Sequence, residues 1–265
     1  MKKIGFIGAG NMGGALASAV AKSTNAVFLS DACAQKAEAL AAEISATAVS
    51  TAEIIANCDM IFLGVKPQII PVLAEEIKGV LAKRKDEVCL VSMAAGVKIE
   101  KLVALLGDQK IIRIMPNTPV AVGSGVILYA LGEKADAEDE ALLCQALSQA
   151  GSLNRLDEKL IDAATAVSGC GPAFVYMFIE ALADGGVKCG LPRDKAQAFA
   201  AETLVGAAKL CLQSQKHPGE LKDAVCSQGG STIAGVAALE ELGFRASVID
   251  AVTAAFERTK ELSGD

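Results

Sequence analysis

The sequence predicts an α/β fold in two parts: an N-terminal domain built on a parallel sheet (residues 1–156), then an all-helical domain (157–265). Three observations predict it. Short apolar runs of β type alternate with helical runs through the first half. Those short runs are apolar nearly throughout, as in strands covered on both faces. Beyond about residue 155 the strand pattern stops and only helical periodicity continues.

The strands read as 4–7, 27–30, 60–65, 88–92, 111–115 and 126–129. Helical runs at 11–21, 32–44, 69–81, 99–106 and 137–150 separate or follow them. In the second of these, Ala37, Leu40, Ala41 and Ile44 recur at i, i+3, i+4, i+7 and make one apolar face. The later helices read as 159–167, 171–188, 192–214, 218–226, 231–242 and 244–262. Gly190-Leu191-Pro192, His217-Pro218-Gly219 and Gly229-Gly230 supply the stops between them. The segment 172–183 is apolar almost all round, with Phe174, Tyr176, Met177, Phe178 and Ile179 pointing in different directions. A helix without a polar stripe is buried on several sides. A domain of about 105 residues can barely do this alone, so it is expected to pack against a second copy of itself.

Composition excludes several classes. Net charge is −6 with both signs interspersed, which argues against nucleic-acid binding. Eight cysteines show no C-x-x-C pair, and there is a single histidine, so zinc-site spacing is absent and no metal is expected. Isolated cysteines in Ala-rich segments suit small core residues and a reducing, cytoplasmic setting. No stretch reaches about 18 uninterrupted apolar residues, so no membrane partner is expected. The first 20 residues mimic a signal peptide, but Gly5, Gly8, Gly10, Asn11, Gly13 and Gly14 interrupt its apolar run.

Those glycines have another use. Gly8-Ala9-Gly10-Asn11-Met12-Gly13 fits G-x-G-x-x-G directly after the first strand and at the opening of the first helix. In that context the pattern points to a dinucleotide cofactor. Gly8 permits the tight turn, Gly10 lets pyrophosphate approach the backbone, and Gly13 lets helix pack on strand. The N–H groups at Asn11 and Met12 open the helix toward the phosphates. At the end of the second strand stand Ser30 and Asp31, 18 residues beyond Gly13. An acid there would bond the ribose hydroxyls of NADH and repel a 2′-phosphate. It would equally serve as N-cap of the next helix. Ser30 could donate to a phosphate and Lys36 lies one turn on, but no arginine is nearby, so the local chemistry leans slightly to NADH without excluding NADPH.

Two later loops fall at strand ends, where ligands bind in open sheets: Gly64-Val65-Lys66-Pro67 and Met93-Ala94-Ala95-Gly96. A third, Met115-Pro116-Asn117-Thr118-Pro119, is stiffened by two prolines and reads either as part of that wall or as a rigid connection. In the helical domain, Ser227-Gln228-Gly229-Gly230-Ser231-Thr232 joins two helices. Free N–H groups plus hydroxyls make it an anion nest suited to a small carboxylate. A plain N-cap with glycine punctuation fits the same residues.

Over nearly its whole length the chain resembles pyrroline-5-carboxylate reductase. The resemblance is carried by residues 4–13, Val65-Lys66-Pro67, Ala94-Ala95-Gly96, 113–119, Ser168-Gly169-Cys170-Gly171-Pro172-Ala173, 180–185, 217–223 and above all 225–232. Gln228 stands where the family usually has Pro. The resemblance implies a Rossmann-type domain and a helical dimerisation domain, assembling as homodimers and often decamers. It implies an oxidoreductase of proline biosynthesis, reducing 1-pyrroline-5-carboxylate to L-proline with NADPH or NADH. It further implies that Thr232 bonds the imine nitrogen and that backbone at Gly230, Ser231 and Thr232 holds the substrate carboxylate, with Ser227 in the same loop. Glu158 matches a position near the substrate. Thr51 and the 65–67 loop match cofactor contacts.

Two other functions fit the two-part build. A 3-hydroxy-acid dehydrogenase of the β-hydroxyacid type needs a general base, a lysine shortly after a Gly-x-Gly motif. Here Gly169-Cys170-Gly171 is followed by no lysine before Lys188. A non-catalytic NAD(P)-binding regulator would bind cofactor without turnover. His217 sits in a Pro-Gly turn and reads as structural.

Overall fold

The structure is a computed structural model that describes residues 2–24 and 26–263. The chain divides into two units, residues 1–170 with 255–265, and residues 171–254. The first unit runs β1 (Ile4–Ile7), α1 (Asn11–Ala21), β2 (Val27–Ser30), α2 (Ala34–Ile44), β3 (Thr47–Ala48), α3 (Thr51–Asn57), β4 (Met60–Leu63), α4 (Ile70–Leu81), β5 (Cys89–Ser92), α5 (Ile99–Leu106), β6 (Lys110–Met115), β7 (Gly125–Leu131), α6 (Ala137–Ala146), β8 (Gly151–Arg155) and α7 (Ile161–Ser168). The strands form one sheet in the order β3-β2-β1-β4-β5-β6-β7-β8. Ile4 pairs with Val27 on one side and with Met60 on the other, both in parallel. The winding therefore reverses at β1, and a crevice opens beyond the carboxyl ends of β1 and β4.

Alternate strand residues feed two core layers, because successive side chains point to opposite faces. Phe6, Met60, Phe62 and Val91 pack with Leu16 and Val20 of α1. Ile61, Leu63 and Leu90 pack with Ile54, Leu73, Ile77 and Leu102 of α3, α4 and α5. The Phe6 and Phe62 rings stack at 4.5 Å.

Four features depart from the sequence expectation. β7 runs antiparallel to β6. The connection over residues 116–124 is shorter than the dozen or so residues that a parallel crossover needs. The helix expected over 137–150 stops at Ala146, and residues 151–155 return as strand β8, parallel to β7. Gly151 has φ +141°, and a Cβ there would collide with the Gly125 backbone. The short helix α3 was not anticipated. Ser50 and Glu53 close a capping box around its first turn. Finally, α2 starts at Ala34 rather than 32, because the Cys33 N–H donates to Asp31 Oδ1 at 2.9 Å.

Helix α7 stays with the sheet through a buried ion cluster. Arg113 of β6 is 1% exposed and donates to Asp162 Oδ1 at 2.9 Å and to Glu158 Oε1 at 3.1 Å. Glu158 Oε1 also accepts the Ile99 N–H at 2.8 Å. Removing Asp162 leaves the buried guanidinium with Glu158 as its one carboxylate and an unmet Nη2 donor, which costs about 1–3 kcal/mol. Asp162→Ala is therefore expected to lower the denaturation midpoint strongly. A denaturant titration within about 0.5 kcal/mol of wild type would contradict this.

The second unit holds α8 (Gly171–Lys188), α9 (Arg193–Ser214), α10 (Pro218–Ala224), α11 (Ser231–Glu241) and the start of α12 (Phe244–Ser263). Ala183, Ala196 and Ala200 form its buried cluster among the described residues, with Ile179 and Val187 against it. Small residues let α8 and α9 approach closely: a Cβ at Gly186 would lie 3.2 Å from that of Ala196. Little else is buried. Tyr176 is 59% and Met177 68% exposed. Residues 158–188 are long and apolar enough, by length and composition, to cross a membrane, although charged residues such as Asp162, Glu180 and Asp184 interrupt them.

Candidate active site

The glycine loop joins β1 to α1. Gly8 has φ +106°, and a Cβ there would sit 2.5 Å from the Gly64 carbonyl oxygen. A Cβ at Gly13 would collide with the Gly8 carbonyl. Both glycines are thus required by the protein's own packing. Gly10 differs: its φ is −72° and a Cβ would meet nothing within 4 Å. The fold does not need glycine at this position, and the backbone there is open to a ligand. Gly10 is also the N-cap of α1, no side chain caps that helix, and its first turn carries no acid. The open N–H groups and the partial positive charge of the helix end favour an anion there.

A cavity of about 720 Å³ extends from this loop. It brings together Gly8, Gly10, Ser30, Asp31, Thr51, Gly64, Val65 and Lys66, all anticipated from the sequence. Its size and its bare Gly10 wall fit a dinucleotide. Asp31 Oδ2 accepts the Ala9 N–H at 2.7 Å, tying the end of β2 to the glycine loop. The N-cap of α2 is Cys33, so Asp31 is not the cap itself. The Ser30 and Thr51 hydroxyls lie 2.8 Å apart. Sequence reasoning missed Ala34, Ala37 and Glu38, which line the cavity from one face of α2. Their i, i+3, i+4 spacing was the available signal.

The other anticipated cofactor residues lie outside this lining. Asn11 opens α1 and is exposed, while Met12 packs against the first core layer. Gly13 is buried. Pro67 begins a 3-10 turn leading to α4. Ala94 is buried in the second core layer, its N–H donating to Ser92 Oγ, and Ala95 is exposed. The proline-bracketed loop after β6 is a brace. Asn117 donates to the Ser168 carbonyl and accepts the Val126 N–H, each at 2.9 Å. Glu158 lines a different cavity, with Ile99 and Gly132, where Arg113 holds its carboxylate.

In the second unit, Gly229 has φ +64° and the Gly230 N–H donates to the Ser227 carbonyl at 3.1 Å. A Cβ at Gly230 would collide with Ser227 Oγ. Gly230 is the N-cap of α11, and no side chain caps it. Ser231 and Thr232 occupy the first turn and are exposed, as is Gln228. The result is an uncapped helix start flanked by two hydroxyls, able to hold a carboxylate and to bond a ring nitrogen. His217 has a structural task. Its Nδ1 accepts the Gly219 N–H at 3.1 Å and caps α10. No group of three or more metal-ligating side chains occurs among the described residues.

Residues 158–262 match the family model described as pyrroline-5-carboxylate reductase dimerisation. Residues 3–96 match one described as NADP oxidoreductase, coenzyme F420-dependent. A pyrroline-5-carboxylate reductase of Arabidopsis thaliana is 41% identical over 98% of this chain and 95% of its own length. The crystal structure of the Plasmodium falciparum pyrroline carboxylate reductase with NADP bound is 33% identical, with a TM-score of 0.86 over 99% of this chain and 98% of that one. The Coxiella burnetii pyrroline-5-carboxylate reductase is 28% identical, with a TM-score of 0.90 over 98% of both chains.

Proposed function

The chain belongs to the pyrroline-5-carboxylate reductase family, and from that premise we propose how its residues carry out the reduction of 1-pyrroline-5-carboxylate to L-proline. The observation that supports the reading is the glycine crevice, where a Cβ at Gly10 would meet no protein atom within 4 Å and the backbone is open to a ligand. The nicotinamide of NAD(P)H, once bound, supplies hydride to C5 of the cyclic imine. The protein's own task is mostly positioning, because an imine carbon is already electrophilic. The α1 N-terminus holds the pyrophosphate. Ser227 and the N–H groups of Ser231 and Thr232, which follow Gly230 at the start of α11, hold the substrate carboxylate, while the Gly230 N–H braces the loop on the Ser227 carbonyl. The Thr232 hydroxyl orients the imine nitrogen. Water or Glu158 supplies the proton; the bonds that Glu158 accepts from Arg113 and the Ile99 N–H both fall on Oε1.

The alcohol-dehydrogenase alternative lacks its base: the first lysine after Gly169-Cys170-Gly171 is Lys188, at the last residue of α8. Purified protein is expected to oxidise NAD(P)H only when pyrroline-5-carboxylate is added. Cofactor binding without turnover would favour the regulatory reading instead.

The exposed apolar surface of α8 supports a homodimer, with further assembly to decamers. Light scattering of the native protein is expected to give a dimer or larger. A monomer would contradict this. The eight unpaired cysteines support a cytoplasmic location.

A further inference from the structure

We infer that this crevice selects NADH over NADPH and that Asp31 makes the selection. The inference rests on reading the crevice as the nicotinamide-cofactor site. Asp31 ends the β2 edge of that crevice, where the adenosine ribose lies in such folds. Two backbone bonds fix its carboxylate: Ala9 N–H to Oδ2 at 2.7 Å and Cys33 N–H to Oδ1 at 2.9 Å. It therefore cannot swing away to admit a phosphate without releasing the glycine loop. Ribose hydroxyls can donate to it, whereas a 2′-phosphate only accepts.

The neighbours reinforce the choice. Glu38, one helical turn beyond Ala34, lines the same cavity from α2, and Glu76 lines it from α4. Against these three carboxylates the lining holds one cation, Lys66, on the loop after β4. Lys36 does not line it. A 2′-phosphate, with its charge of about −1.5 to −2, would meet like charge where recognition needs arginine or lysine. Selection thus follows from side chains at the end of β2 and on α2, on a fold that accommodates either nucleotide.

The test is a calorimetric titration of NADH and of NADPH into wild type, Asp31→Asn and Glu38→Gln, at low and high salt, with kcat/KM measured alongside. Wild type is expected to bind NADH roughly tenfold or more tighter than NADPH, with the gap shrinking as salt rises. Asp31→Asn is nearly isosteric and removes the charge, but gives up one of the two backbone bonds, because its amide nitrogen cannot accept an N–H. It is expected to bring the two affinities within about threefold of each other. Glu38→Gln leaves the loop bonds intact and is expected to tighten NADPH by about two- to fivefold. NADPH binding as tightly as NADH to wild type would overturn the inference while leaving the crevice reading in place. An unchanged ratio in both variants would overturn the roles of these carboxylates. Binding of neither nucleotide to wild type would overturn the crevice reading and the inference with it.

Discussion

Gly10→Val is expected to weaken cofactor binding by at least about a hundredfold, some 2.7 kcal/mol, with little loss of fold stability. The space beyond the Gly10 Cα is empty of protein atoms to 4 Å. Its φ of −72° is open to any residue, so the protein itself tolerates a side chain there. The pyrophosphate does not, because the added methyl groups occupy the surface on which it lies. Gly13→Ala provides the contrast. Its Cβ would collide with the Gly8 carbonyl, so the backbone must shift and stability falls, by about 1–3 kcal/mol. Nucleotide titration and thermal melting on both variants separate the two effects. A Gly10→Val protein that melts normally and still binds NAD(P)H would remove the loop from the cofactor site.

Thr232→Ala is expected to lower kcat/KM about ten- to a hundredfold, the ~1.4–2.8 kcal/mol of a hydrogen bond to a charged group. The residue stands exposed in the first turn of α11, after the glycine-shaped turn at Gly229 and Gly230. Among the described residues no intramolecular hydrogen bond occupies its hydroxyl, so its removal leaves the helix intact. Cofactor affinity should therefore be unchanged, and Thr232→Ser should restore most of the rate. Steady-state kinetics within twofold of wild type for the alanine variant would take Thr232 out of the mechanism.

What the sequence made legible was local. Gly8 and Gly13 are legible because they encode backbone geometry, and the structure shows the collisions that their side chains would cause. The apolar runs of β1, β2, β4 and β5 are legible because both faces are buried. β8 was not, since Gly151, Ser152, Leu153, Asn154 and Arg155 form a half-exposed edge with no apolar run. The α3 capping box was readable as Ser-x-x-Glu, but the helix spans only seven residues, too few to show a period. The Arg113 cluster links positions 45 and 49 residues apart, which no local pattern reports. At the site, Asp31 was seen as selector or cap. Its bonds to the Ala9 and Cys33 N–H groups were not legible, because the first depends on β1 and β2 lying side by side. Ala94 reads as a small residue at a strand end, and its burial in the second core layer, with its N–H on Ser92 Oγ, is not visible in the local pattern.

Hydride transfer itself gives the most direct measurement. Reduced nicotinamide cofactor carrying deuterium at both C4 positions is incubated with the protein and pyrroline-5-carboxylate, and the product is read by mass spectrometry and proton NMR. The account predicts L-proline with a single deuterium at C5. Proline without the label, or cofactor bound and no proline formed, would contradict it.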